Sequence, residues 1–136
     1  MALVRWSDAM SVGVPSLDDQ HKKMLTLLNQ LHDGMMTGKD KLALGDVLKA
    51  LISMTAIHFK YEEELLARSG YPDDATHRGE HAVLTRQVIE IRRQYESVGP
   101  SAMTIPVMSF LKNWLVAHIQ GADMKYRDHL IAKGIK

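Results

Sequence analysis

Apolar residues recur along this chain in alternating steps of three and four, over four separate stretches. The first carries Leu17, His21, Met24, Leu28, Leu31 and Met35. The second carries Leu44, Leu48, Leu51, Thr55, His58, Glu62 and Leu65. The third carries His77, His81, Leu84, Val88, Ile91 and Tyr95, and the fourth Val107, Leu111, Leu115 and His118, flanked by Trp114. That spacing turns one face of each stretch inward as a packed helix. It predicts helices from near Ser16 to near Gly38, from about Lys41 to Ser69, from about Ala75 to Val98, and from around Thr104 onward. Ser16-Leu17-Asp18-Asp19 resembles a capping box with Asp in place of Glu. Gly70 reads as a C-terminal stop, Asp74 as a cap for the third helix, and Pro106 as tolerated in the first turn of the fourth. Residues 1–15 read as an extended arm, anchored by Trp6, and a helical tail continues to about Ala132. Short connections favour antiparallel neighbours. The expected fold is therefore all-α: one domain over 1–136, an up-down-up-down four-helix bundle over 16–132, with an extended N-terminal arm and a short C-terminal helical tail.

His58, Glu62, His77 and His81 occupy seam positions where leucine would otherwise sit. A buried polar group without a partner costs ~1–3 kcal/mol, so several in one core demand a compensating interaction. Their depth sharpens the point. His21, His77 and His81 lie near the N-termini of the first and third helices, while His58, Glu62, His118 and Asp123 lie near the C-termini of the second and fourth. Up-down-up-down topology brings those four ends together. A lone histidine on an apolar face is more often a satisfied core residue, but independent structural histidines have no reason to share one layer.

His58–Glu62 and His77–His81 are i,i+4 pairs, each projecting from one helix face. His118–Asp123 is i,i+5, which misses a shared face by roughly 140° at 3.6 residues per turn. A widened π-type turn or a break near Gly121 is expected to carry Asp123 inward. The resulting set is too large for one ion and suits two. The chain has no cysteine, which excludes thiolate ligation and iron–sulfur clusters. Calcium and magnesium prefer all-oxygen shells. Imidazole suits iron, copper, nickel and zinc, and added carboxylate favours iron or manganese. The Glu-x-x-His pairs of ferritin-like di-iron proteins and the His-Glu-x-x-His of zinc proteases are both absent.

The remaining histidines read differently. His32 lies roughly 16 Å along the axis from His21 at 1.5 Å per residue, and His129 falls in the tail; both are expected at the surface or in end packing. The methionines read as core filling, and Glu62-Glu63-Glu64 as a solvated run with only Glu62 on the seam. The formal net charge of +1 comes with both signs interspersed, so no basic stripe calls for nucleic acid. No stretch reaches the ~18 apolar residues of a spanning helix, and none resembles a signal peptide. With no cysteine, a cytoplasmic location is expected.

The residues now resemble a family. Val12-Gly13-Val14 followed by Leu17-Asp18-Asp19-Gln20-His21 looks like the hemerythrin entry into the first helix. His58-Phe59-Lys60-Tyr61-Glu62-Glu63, Tyr71-Pro72 with His77 and His81, and Trp114-Leu115-Val116-Ala117-His118-Ile119 with Asp123 look like the rest. The chain is similar to hemerythrins, specifically the single-domain bacterial type. That resemblance implies two iron ions (Fe2+/Fe3+) joined by an oxo or hydroxo bridge. His77, His81 and His118 would ligate one iron, His21 and His58 the other, with Glu62 and Asp123 bridging both. The second iron would keep an open position for reversible dioxygen binding. Met24, Phe59, Trp114, Leu115 and Ile119 would line the oxygen pocket, with Met24 standing where the family often has Leu. Tyr126 is a candidate for support behind the ligands. The implied role is oxygen carriage, storage or delivery to an oxygen-consuming recipient protein. A redox enzyme acting on peroxide or nitric oxide at the same centre, and an oxygen or iron sensor, are the alternatives.

Overall fold

A computed structural model describes residues 3–38 and 41–135, with the side chains of residues 41, 42 and 100 left aside. Four long helices form the bundle: α1 (Pro15–Met36), α2 (Lys41–Ser69), α3 (Asp74–Val98) and α4 (Ile105–His118). A π turn over Ile119–Asp123 and a 3-10 turn over Met124–Tyr126 link α4 to the short α5 (Arg127–Ala132). The chain runs up-down-up-down, so the start of α1 and α3 and the end of α2 and α4 share one end.

The helix boundaries follow local chemistry, with two corrections. Pro15 occupies the first turn of α1, where its fixed φ and missing N–H cost nothing. Ser16 is thus already helical, and no side chain caps the flanking Val14. The expected capping box does not form. Asp18 instead turns outward to the arm, accepting from Ser11 Oγ at 2.6 Å and from Val12 N at 2.9 Å. Ser16 Oγ accepts from the Tyr61 hydroxyl at 2.9 Å, a link from α1 to α2. Likewise α3 begins at Asp74 rather than after it, and that carboxylate lies 3.3 Å from Arg78 Nε one turn on. Elsewhere the punctuation acts as read. Gly70 has φ +71°, and the amides of Gly70 and Tyr71 reach back to Ala67 O and Leu66 O, the Schellman pattern. Thr104 Oγ1 accepts from Val107 N to cap α4.

The core divides at the polar layer. The larger part fills the middle and far end of the bundle, with Leu28, Leu31, Leu44, Leu48, Leu51, Tyr95, Met108 and Leu111 among its members. The smaller part packs Val12 and Val14 of the arm with Leu17, Leu65, Leu66, Tyr71, Tyr126 and Leu130. The arm is tied further up by Asn29, whose side chain bonds both the N–H and the carbonyl of Val4, and Trp6 lies under Lys22 Nζ at 5.1 Å. The polar layer is thus capped with apolar side chains on both sides. None of the described helices is long and apolar enough to cross a membrane.

Candidate metal centre

His21, His58, Glu62, His77, His81, His118 and Asp123 are all buried in that layer. The π turn brings Asp123 inward. There Met124 N donates to Ile119 O, five residues back, so the turn holds one residue more than an α-turn. Gly121 sits within it, yet a Cβ there would meet nothing within 4 Å. The widening, not space for the glycine, moves Asp123 onto the inner face.

The two carboxylates are divided between two sets of imidazoles. Glu62 Oε1 lies 2.5 Å from His77 Nε2 and 3.0 Å from His81 Nε2. Glu62 Oε2 lies 3.0 Å from His58 Nε2 and 3.7 Å from His21 Nε2. Asp123 Oδ1 lies 3.1 Å from His77 Nε2 and 3.0 Å from His118 Nε2, while Oδ2 lies 3.0 Å from His21 Nε2. Two clusters result: Glu62, His77, His81, His118 and Asp123 on one side, and His21, His58, Glu62 and Asp123 on the other, the donor atoms of each within 4.8 Å of one another.

These donors fit metal ions better than they fit each other. The Nε2 atoms of His21, His58, His81 and His118 and both Asp123 oxygens make no hydrogen bond despite their proximity. Neighbouring ligands at right angles around an ion, each ~2.1 Å from it, stand about 3.0 Å apart, which is the spacing seen here. Two of the outer nitrogens are tied down. His58 Nδ1 lies 2.6 Å from Gln20 Oε1, and His81 Nδ1 lies 3.0 Å from Glu63 Oε2. Donation from Nδ1 leaves each Nε2 lone pair facing inward. Tyr126 donates to Glu62 Oε2 at 2.9 Å from behind.

Gln20, Glu63 and Leu84 adjoin the centre although nothing in the sequence marks them as site residues. Glu63 was assigned to a solvated run, but α2 and α3 pack closely enough to bring it to His81. Gln20 precedes His21 by one residue and leaves no periodic signal. His129 Nε2 lies 2.9 Å from Ser69 O, a packing role, and His32 stays clear of the centre.

Without metal, protons take the ions' place. Burial opposes charging His21, but Asp123 and Glu62 outweigh it and hold its pKa up at about 9. The same carboxylates outweigh burial at His77 and raise it to about 10. Burial dominates at His58 and lowers its pKa. Burial also works against charge on Glu62, but the surrounding imidazoles hold its carboxyl well below the usual range. Metal ions bound at these nitrogens would have to displace the protons that the two carboxylates favour on His21 and His77. Loading at pH 7 is expected to release one from His21 and one from His77, and apparent metal affinity should climb as pH rises toward 9–10. Titration in weak buffer with a pH indicator checks this; loading without proton release would contradict it.

An apolar pocket adjoins the centre. Met24, Phe59, Leu84, Trp114, Leu115 and Ile119 line it together with His21, His58, His118 and Asp123. The space between these side chains is too tight for a water-sized sphere. Phe59 stacks on His81 at 3.8 Å, and Trp114 Nε1 donates to Leu84 O at 3.1 Å, so the walls are held in place.

Comparison with known proteins agrees with this geometry. The sequence profile of the hemerythrin HHE cation binding domain matches residues 12–130. Bacteriohemerythrin of Stenotrophomonas maltophilia is 33% identical, over 97% of this chain and 84% of that protein. Bacteriohemerythrin of Methylococcus capsulatus is 35% identical, over 93% of this chain and 95% of its own length. A crystal structure of wild-type hemerythrin superposes with a TM-score of 0.87 at 34% identity, covering 95% of this chain and 98% of that one. The chain belongs to the hemerythrin family.

Proposed function

We propose that this protein holds two iron ions and binds dioxygen reversibly. Supporting this is the inequality of the two donor sets, three imidazoles against two with both carboxylates shared, beside an apolar pocket that contains both imidazoles of the poorer set. His77, His81 and His118 would hold one iron, and His21 and His58 the other. When bound, the ferrous pair and its bridging hydroxo group supply two electrons, a proton and an open coordination position for dioxygen. The chain's own contribution is exclusion and orientation. Met24, Leu84, Leu115 and Ile119 keep water from the open side. Tyr126, the nearby phenol, is engaged with Glu62 and offers the pocket no proton. Carriage, storage or delivery to an oxygen-consuming recipient in the cytoplasm follows from this reading.

Mixing the anaerobic reduced protein with dioxygen tests it. A coloured adduct that releases dioxygen under vacuum is the expected result. Immediate irreversible oxidation, with turnover of peroxide or nitric oxide, would move the protein to the redox enzymes. The pocket makes a separate prediction. Leu115→Ala should shorten the adduct's lifetime on the order of tenfold by admitting water and protons, with iron content unchanged. An unaltered decay rate would remove Leu115 from the barrier.

A further inference from the structure

Among the described residues that line the pocket, Met24 carries the single thioether. Met24 is wholly buried at 0% exposure, three residues beyond His21 on α1, and lines the pocket with His21 and His58. Leucine would fill the same apolar role without a reactive sulfur. Any oxidant leaving the open side of the centre meets this thioether inside a space too tight for bulk water.

We propose that Met24 is a modification site: hydrogen peroxide formed in the pocket oxidises its thioether to the sulfoxide. This rests on the dioxygen-binding reading. In an abortive cycle, dioxygen takes two electrons from the ferrous pair and two protons, and departs as hydrogen peroxide. The Met24 sulfur then gives two electrons to the peroxide. The O–O bond breaks, one oxygen stays on sulfur and the other leaves as water. The side chain becomes polar and larger in a pocket with no spare room, so the modified protein should lose its dioxygen adduct while retaining iron.

Position distinguishes this from ordinary oxidation. Peroxide arriving from solvent reaches Met36 first, which is 63% exposed. Cleavage after Lys23 leaves Met24, Met35 and Met36 on one tryptic peptide, so fragment ions compare them within the same molecule. The experiment loads the full-length protein with ferrous iron anaerobically, adds catalase to the solution, and exposes it to air while recording absorption. The expected outcome is at least about tenfold more sulfoxide at Met24 than at Met36, and none at Met24 in iron-free protein treated alike. Iron oxidation after adduct formation with Met24 intact would overturn the inference alone. So would equal oxidation of Met24 and Met36. Absence of any dioxygen-dependent spectral change would overturn the functional reading and this inference with it. Measured against each protein's own first air cycle, Met24→Leu should lose adduct more slowly over repeated cycles than the parent protein; equal fractional losses would overturn the inference.

Discussion

Glu62→Gln is expected to strip iron from both halves of the centre at once, bringing bound iron below about one ion per chain. Loss of partners outside the ligand shell already weakens metal sites ~10–100-fold, and a shared ligand should cost more. The reason lies in how the carboxylate is placed. One oxygen faces His77 and His81, the other His58 and His21. Glutamine keeps the volume but points an amide NH2 at one of these imidazole sets, and that group cannot ligate. It also removes a negative charge from a centre that, on the proposed reading, would neutralise two cations. His118→Ala makes the contrast, since His118 Nε2 pairs with Asp123 Oδ1 in the three-histidine set and its Nδ1 lies 3.9 Å from Glu80 Oε2 outside it. That variant should lose one ion more readily than both. Elemental analysis after saturation and gel filtration reads the ratio, with far-UV circular dichroism confirming the helices. Glu62→Gln protein that retains both irons would show that the carboxylate is not shared.

Much of this centre was legible in the sequence because helical geometry is periodic. Imidazoles replacing leucines on an i,i+4 seam must point inward, and antiparallel order puts their ends at one level. The π turn could be anticipated from a conflict: Asp123 was on the wrong face of a regular helix, so the helix had to be irregular. The resemblance to hemerythrins implies a division of these donors between two ions, which spacing alone leaves open. The omissions have a common cause. The Gln20–His58 and Glu63–His81 contacts join different helices. They depend on rotation and separation of helix pairs, which one-dimensional periodicity does not contain. The capping errors are similar. Ser16 and Asp74 are good caps in isolation, but Tyr61 and the arm claim Ser16 and Asp18, and Asp74 pairs with Arg78.

Removing the metals is expected to lower the melting temperature by more than about 10 °C, the second large effect. A ligand bound only by the folded state at a hundredfold excess over its dissociation constant stabilises by about 2.7 kcal/mol. Two ions double that, and each kcal/mol moves the midpoint of a domain this size by roughly 2–8 °C. The physical source is the buried layer. Without ions, orphaned nitrogens and carboxylate oxygens sit in an apolar enclosure, and imidazolium charges only partly compensate. The loss should also be local. Leu44, Leu48, Tyr95 and Met108 lie in the far-end part of the larger core. Val12, Leu65, Tyr126 and Leu130 pack directly behind the centre. Hydrogen exchange on chelator-treated protein should therefore rise first in the arm, the end of α2 and the turns after α4, while the far end stays protected. Melting curves of loaded and stripped samples test the size of the effect, and exchange tests its place. Equal melting temperatures in samples of verified metal content would mean that the donors are satisfied without ions, contrary to their geometry.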